Sequence, residues 1–239
     1  MDTGAEQHDE TERDRSSGPD EAGRGRRSRS VRIATPVVAV LLILLLVSGF
    51  VVQPFLIPST SMTPTLEVGD RVLVNKLAYG FGNHPQRGDV VVFDGTGSFV
   101  DGTTENPVVA LLREGGAALG LVRPSETDYV KRVIGVGGDR VRCCDKQGRI
   151  EVNGVPVDEH YLHAGDRPSR VPFDTEVPPG RLWVMGDHRD NSSDSRDHLG
   201  DPGGGTVPLD QVIGRADWIG WPPSRWGAPA GASGAGGHG

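Results

Sequence analysis

The 239-residue sequence predicts an all-β domain of antiparallel sheets, preceded by one N-terminal transmembrane helix. Three observations lead there. The chain holds 35 Gly and 18 Pro, which favour turns and short strands over long helices. Short β-branched runs recur between Gly-Asp or Asn-Gly turns. A single uncharged apolar run, IATPVVAVLLILLLVSGFVV, occupies residues 33–52.

Residues 1–32 are polar and without apolar periodicity, and read as a disordered cytoplasmic tail. At about 1.5 Å per residue, the apolar run reaches roughly 30 Å, the thickness of a bilayer core. A cleaved leader is the rival reading. It needs a shorter apolar stretch followed by a small-x-small site, and Val47-Ser48-Gly49 is a poor one placed inside the run. The reading is therefore an uncleaved anchor helix over 33–56. Arg24, Arg26, Arg27, Arg29 and Arg32 precede it, which puts the N-terminus in the cytoplasm and the rest of this single-pass chain outside the cell membrane.

The extracytoplasmic part, 57–226, reads as strands at Arg71–Val74, Asp89–Phe93, Tyr129–Ile134, Arg149–Val152, Val155–Val157 and Arg181–Met185. Asn153-Gly154 is a hairpin signal. Residues 94–126 break the rhythm and read as an inserted lobe, with a short helix near Leu111 to Leu121. Residues 227–239 are Gly/Ala-rich and read as a disordered tail.

The formal charge of −7 argues against a nucleic-acid partner. The two cysteines, Cys143 and Cys144, are adjacent, so no zinc ribbon fits. Reduced or reversibly oxidised thiols are the favoured state over a structural bond between neighbours.

Three stretches could carry chemistry. PSTSMTP sets Ser59, Thr60 and Ser61 just beyond the apolar run, stiffened by Pro58 and Pro64. A serine hydroxyl needs a base to become a nucleophile. YVKRVIGVGGD supplies Lys131. Strand alternation points it and Arg132 to opposite faces, so one of the two is expected to face the interior. Burial lowers a lysine pKa, and moving it to about 8 takes roughly 3 kcal/mol. A snorkelling or salt-bridged strand lysine is the plainer alternative, and Lys76 reads as a surface residue. GDHRDNSSDSR, residues 186–196, could be a solvated loop, a metal site of Asp187, His188, Asp190 and Asp194, or the source of an alternative base, His188. Arg87-Gly88-Asp89 reads as a turn feeding a strand. Trp218, Trp221 and Trp226 could meet headgroups, or pack in the core in the case of Trp218.

In content, order and spacing, PSTSMTPTLEVGDRVLVNK, RGDVVVF, YVKRVIGVGGDRV and GDHRDNSSDSR resemble the bacterial type I signal peptidases. The resemblance implies the β-domain shared with the self-cleaving LexA-like repressors. It also implies a serine endopeptidase that removes signal peptides from exported preproteins after Ala-x-Ala sites, at a lipid bilayer and with no cofactor or metal. By that pattern Ser61 is the nucleophile and Lys131 the general base. Ser59 joins the Ser61 N–H in the oxyanion hole, and Ser192 orients the lysine. Asp187, Asp194, Arg196 and Arg132 brace the site, and Met62 packs beside the nucleophile. The family usually has Asn where this chain has His188. A self-cleaving repressor and a non-catalytic anchored binding domain are the competing readings. The membrane run disfavours the first, and intact Ser61 and Lys131 disfavour the second.

Overall fold

The computed structural model describes residues 36–40, 42–44, 51–80, 82–100 and 127–231. The expected tail over 1–32, much of the anchor run, residues 101–126 of the inserted lobe and residues 232–239 lie outside the described residues. The chain divides into two units, Met1–Ile43 and Leu44–Gly239. In the first, residues 36–40, 42 and 43 are helical, and Val37, Val38, Val40, Leu42 and Ile43 are exposed. Among the described residues no helix is long and apolar enough to cross a membrane.

The second unit carries two antiparallel sheets among its described residues. The larger has the order β1-β2-β11-β3-β4-β9-β10. Its strands are β1 (Val52–Leu56), β2 (Arg71–Asn75), β3 (Val90–Asp94), β4 (Asp128–Val136), β9 (Arg181–Met185), β10 (Val207–Pro208) and β11 (Val212–Trp221). The smaller has the order β7-β6-β5-β8, built from β5 (Arg140–Cys143), β6 (Ile150–Val152), β7 (Val155–Pro156) and β8 (Phe173–Glu176).

The central strands are apolar without alternation because both of their faces are covered. On β3, Val90 and Val92 join a cluster with Phe55, Met62, Leu66, Val72 and Val74. Val91 and Phe93, pointing the other way, join Phe99, Val133, Leu182 and Val184. Such a side chain contributes about 1.5–3 kcal/mol when fully buried. A third cluster, with Trp183, Ile150, Val141 and Phe173, ties the smaller sheet to β4 and β9. The Asn153-Gly154 turn forms as expected, with φ of 54° and 77°, and pairs Val152 with Val155.

Four expectations change. Residues 52–56, assigned from sequence to the end of the anchor, form β1 in full register with β2, from Val52 opposite Asn75 to Leu56 opposite Arg71. Phe55 is buried there, and a sheet edge satisfies this apolar backbone as well as a helix would. Residues 227–231 are packed, not disordered: Gly227 pairs with Ile219, and the Ala230 and Gly231 carbonyls accept hydrogen bonds from Arg132. Cys143 and Cys144 are joined as a disulfide at the end of β5, where both pack against the third cluster. Finally, Lys131 and Arg132 are both buried, because β4 is covered on both faces.

Candidate active site

Ser61 opens a tight turn between β1 and β2. Met62 and Leu66 anchor this turn in the core, at 1% and 0% exposure. Backbone bonds from Thr63 N–H to Thr60 O and from Leu66 N–H to Met62 O hold its shape. On the far side, the His188 N–H donates to the Ser61 carbonyl at 3.1 Å. Gly186 lies against that same carbonyl, and a Cβ there would collide with it and with the Ser192 side chain. The glycine of the Gly-Asp pair after β9 is thus required for close approach, not for turn conformation.

Lys131 lies mid-strand in β4, opposite Val91 of β3. Its Nζ is 2.9 Å from Ser61 Oγ, with both groups buried. With the amine charged, Nζ donates; with the amine neutral, the hydroxyl donates to the nitrogen lone pair. Loss of hydration lowers the Lys131 pKa to about 8, and the nearby Asp194 and Asp187 charges limit the fall. Ser59 Oγ is 3.2 Å from Ser61 Oγ, on the open side of the turn.

Behind the dyad the charges are locked in forks. Arg132 Nε and Nη2 donate to Asp187 Oδ1 and Oδ2 at 2.8 and 2.7 Å, and both residues are fully buried. The Thr65 hydroxyl donates to Asp187 Oδ2, and the Tyr161 ring lies 4.0 Å from the guanidinium. Arg196 forks onto Asp194 at 2.8 Å for each arm, while the Gly186 N–H donates to Asp194 Oδ2. Burial pushes the Asp194 carboxyl up, but the Arg196 fork outweighs it and holds the pKa below the usual carboxylate range. Arg189 forms a further buried pair with Glu159 and donates to Gly186 O.

The structure therefore brings Ser59, Ser61 and Lys131 into contact and sets Asp187, Asp194, Arg132 and Arg196 around them. Ser192 is the exception. Its hydroxyl is buried over Gly186 and helps lower Asp194, yet it has no hydrogen-bond partner in good geometry among the described residues, Lys131 included. The His188 ring is turned away from the Ser61 hydroxyl, with Nδ1 3.2 Å from Thr63 Oγ1. The metal set weighed from sequence is not assembled. Asp187 and Asp194 are held by arginines, and Asp190 pairs with Arg170. Thr65, Tyr161, Gly186 and the Arg189–Glu159 pair were not singled out from the sequence. Of these, Thr65, Gly186 and Arg189 lie inside motifs that could have drawn attention to them, and Tyr161 and Glu159 do not.

A family model described as "Signal peptidase, peptidase S26" matches residues 30–221. The chain is 43% identical over 231 residues to the signal peptidase I of Mycobacterium tuberculosis, covering 87% of this chain and 78% of that protein. It is 35% identical over 234 residues to the signal peptidase I of Pseudomonas aeruginosa, covering 78% and 71%. A solved signal peptidase I from Enterococcus faecalis V583 aligns with a TM-score of 0.35 and 24% identity, over 55% of this chain and 95% of that one.

Proposed function

The chain belongs to the signal peptidase family, peptidase S26, and is a serine peptidase; from that premise we propose that it removes signal peptides from exported preproteins through a Ser61/Lys131 dyad. The observation that carries the proposal is the buried 2.9 Å contact between Lys131 Nζ and Ser61 Oγ. A lysine with a pKa near 8 is neutral in a useful fraction of molecules at physiological pH. The neutral amine takes the hydroxyl proton as Oγ attacks the scissile carbonyl. The ammonium then gives that proton to the departing amine, leaving an acyl-enzyme. Water, deprotonated by the same amine, hydrolyses the ester. The Ser59 hydroxyl and the Ser61 N–H hold the oxyanion at each step, and such a donor contributes about 3 kcal/mol.

The Asp187–Arg132 and Asp194–Arg196 forks keep the loop behind Ser61 rigid while sparing the amine a direct ion pair, which would hold it charged. Specificity is for small side chains, in the Ala-x-Ala manner. The uncharged run up to residue 51, just before β1 begins, acts as a single membrane anchor with the N-terminus in the cytoplasm. Only eight residues lie between Val52 and Ser61, so both the nucleophile and a membrane-tethered substrate are confined near the bilayer.

The test is processing of a purified preprotein in vitro, with N-terminal sequencing of the product. Wild type cleaves after a small-x-small site. Lys131→Ala and Ser61→Ala lose cleavage by at least about a thousandfold while retaining wild-type melting behaviour. Near wild-type processing by Lys131→Ala would end the dyad assignment.

A further inference from the structure

Beside the nucleophile turn, which His188 touches at Ser61 O and Thr63 Oγ1, His163, Asp166 and His188 converge. Their ligand atoms all lie within 4.8 Å of one another. His163 and Asp166 come from the loop between β7 and β8, and His188 follows the Gly186-Asp187 pair. None of the three has a place in the chemistry proposed for Ser61.

The hydrogen-bond network fixes which nitrogens face the centre. The Thr63 hydroxyl donates its proton to Thr60 O at 2.8 Å. The same oxygen is 3.2 Å from His188 Nδ1, so it accepts there and the imidazole donates. A neutral His188 with its proton on Nδ1 carries its lone pair on Nε2. That Nε2 faces Asp166 Oδ2 at 3.9 Å. His163 Nδ1 is buried without a hydrogen-bond partner and faces Asp166 Oδ1 at 3.7 Å. Two imidazole nitrogens, of which His163 Nδ1 has no hydrogen-bond partner among the described residues, thus aim at the two oxygens of one carboxylate, whose side chain is only 6% exposed. A lone pair facing an anion is repulsive, and a proton or a metal ion between them relieves it. Asp190 does not compete, because its carboxylate is taken by Arg170; its N–H donates to Asp166 Oδ2 at 3.2 Å and orients it.

We infer that His163, Asp166 and His188 form a binding site for one divalent transition-metal ion of the Zn2+ class. Two imidazoles and a carboxylate are a donor set such ions prefer, and Mg2+ or Ca2+ would want more oxygen. Tetrahedral bonds of 2.0–2.1 Å set ligand atoms about 3.4 Å apart. The observed 3.7 and 3.9 Å run to the two different oxygens of Asp166, and one ligand atom from each residue lies within 4.8 Å of the other two, so the three side chains must draw together by up to about 1 Å around a common point. The two rings, stacked with centroids 4.0 Å apart, must also tilt toward a common point. Both side chains retain the freedom to do so, at 38% and 20% exposure. Three protein ligands leave a fourth position for water. The Nδ1–H of His188 bonded to Thr63 is the outer contact that commonly orients a metal-bound histidine. The ion would fasten the 163–166 loop to the residue whose N–H holds the Ser61 carbonyl.

The experiment is calorimetric titration of Zn2+ into the full-length, untagged, detergent-solubilised chain after chelator treatment. Uptake of one Zn2+ per chain is expected, with micromolar or tighter affinity. His163→Ala and Asp166→Asn should each weaken it at least tenfold. His198→Ala and the Cys143→Ser/Cys144→Ser double variant should leave it unchanged. Co2+ should give a visible d–d absorption band that disappears in the same two variants. Asp166→Asn keeps the shape of the side chain, so it remains informative should His163→Ala fold poorly. Absence of stoichiometric uptake, or uptake that survives both ligand variants, would overturn the site.

Discussion

Lys131 and Arg132 are neighbours on β4, and both are buried, at 4% and 0% exposure. Their surroundings differ in kind. Arg132 has an acceptor at every guanidinium nitrogen: both Asp187 oxygens, Thr65 Oγ1 and the carbonyls of Gly88, Ala230 and Gly231. Lys131 has a hydroxyl at 2.9 Å and, among the described residues, no direct ion pair. One cation is buried so that it stays charged and holds the fold. The other is buried so that its charge is easily lost. Arginine suits the first task because its planar fork matches a carboxylate and cannot be deprotonated, and lysine suits the second because it can.

The sharpest way to break this contrast is Lys131→Met. Cleavage should fall by at least about a thousandfold, yet the protein should become more stable at pH 7, by about 1–3 kcal/mol. The sign follows from the pKa. The folded value of about 8 lies below the unfolded value of about 10.4, so the fold disfavours the charged amine. That penalty is full below pH 8, shrinks as pH rises from 8 to 10, and vanishes above. Melting curves should therefore show the Met variant's advantage at pH 7 and none near pH 10.5. An equal advantage at both would mean the amine is not desolvated. Wild-type kcat/KM should fall about tenfold per pH unit below 8, as the neutral amine is titrated away.

On the other face, Asp187→Ala strands a buried guanidinium. Chemical denaturation should show a loss of about 3–5 kcal/mol. A double variant with Arg132→Met should recover most of it, because the uncompensated charge is gone. Ser59→Ala leaves both cations untouched; its kcat should drop about a hundredfold with little change in KM. The smallest effect belongs to the C-terminal segment. Truncation after Pro229 removes two carbonyls from Arg132 and should cost about 1–2 kcal/mol. A truncated chain as stable as wild type would show that water replaces those carbonyls without loss.

Much of this was legible beforehand, for identifiable reasons. The runs at Arg71, Asp89, Tyr129 and Arg181 are β-branched and bounded by turns, so β2, β3, β4 and β9 could be read directly. Asn153-Gly154 named its own hairpin. Strand alternation set Lys131 and Arg132 on opposite faces but missed that both faces are covered, since alternation gives direction and not what lies there. β1 was hidden because Val52–Leu56 continue an apolar run, and periodicity cannot separate such a stretch from a helix end. β11 was hidden by its irregular register: shifts between Val212 and Gly214 and between Ala216 and Trp218 break the alternation a strand would show.

The sequence by itself determined the hydroxyl cluster, the strand that carries the lysine and the acid- and arginine-rich loop after β9, because each is a local pattern of residue types. Only the tertiary structure decided that Lys131 meets Ser61 across 70 positions, that Gly231 closes over Arg132, and that His163 and His188 share a carboxylate. Those are long-range contacts, fixed by which surfaces the packed sheets bring together, and no window along the chain contains both partners.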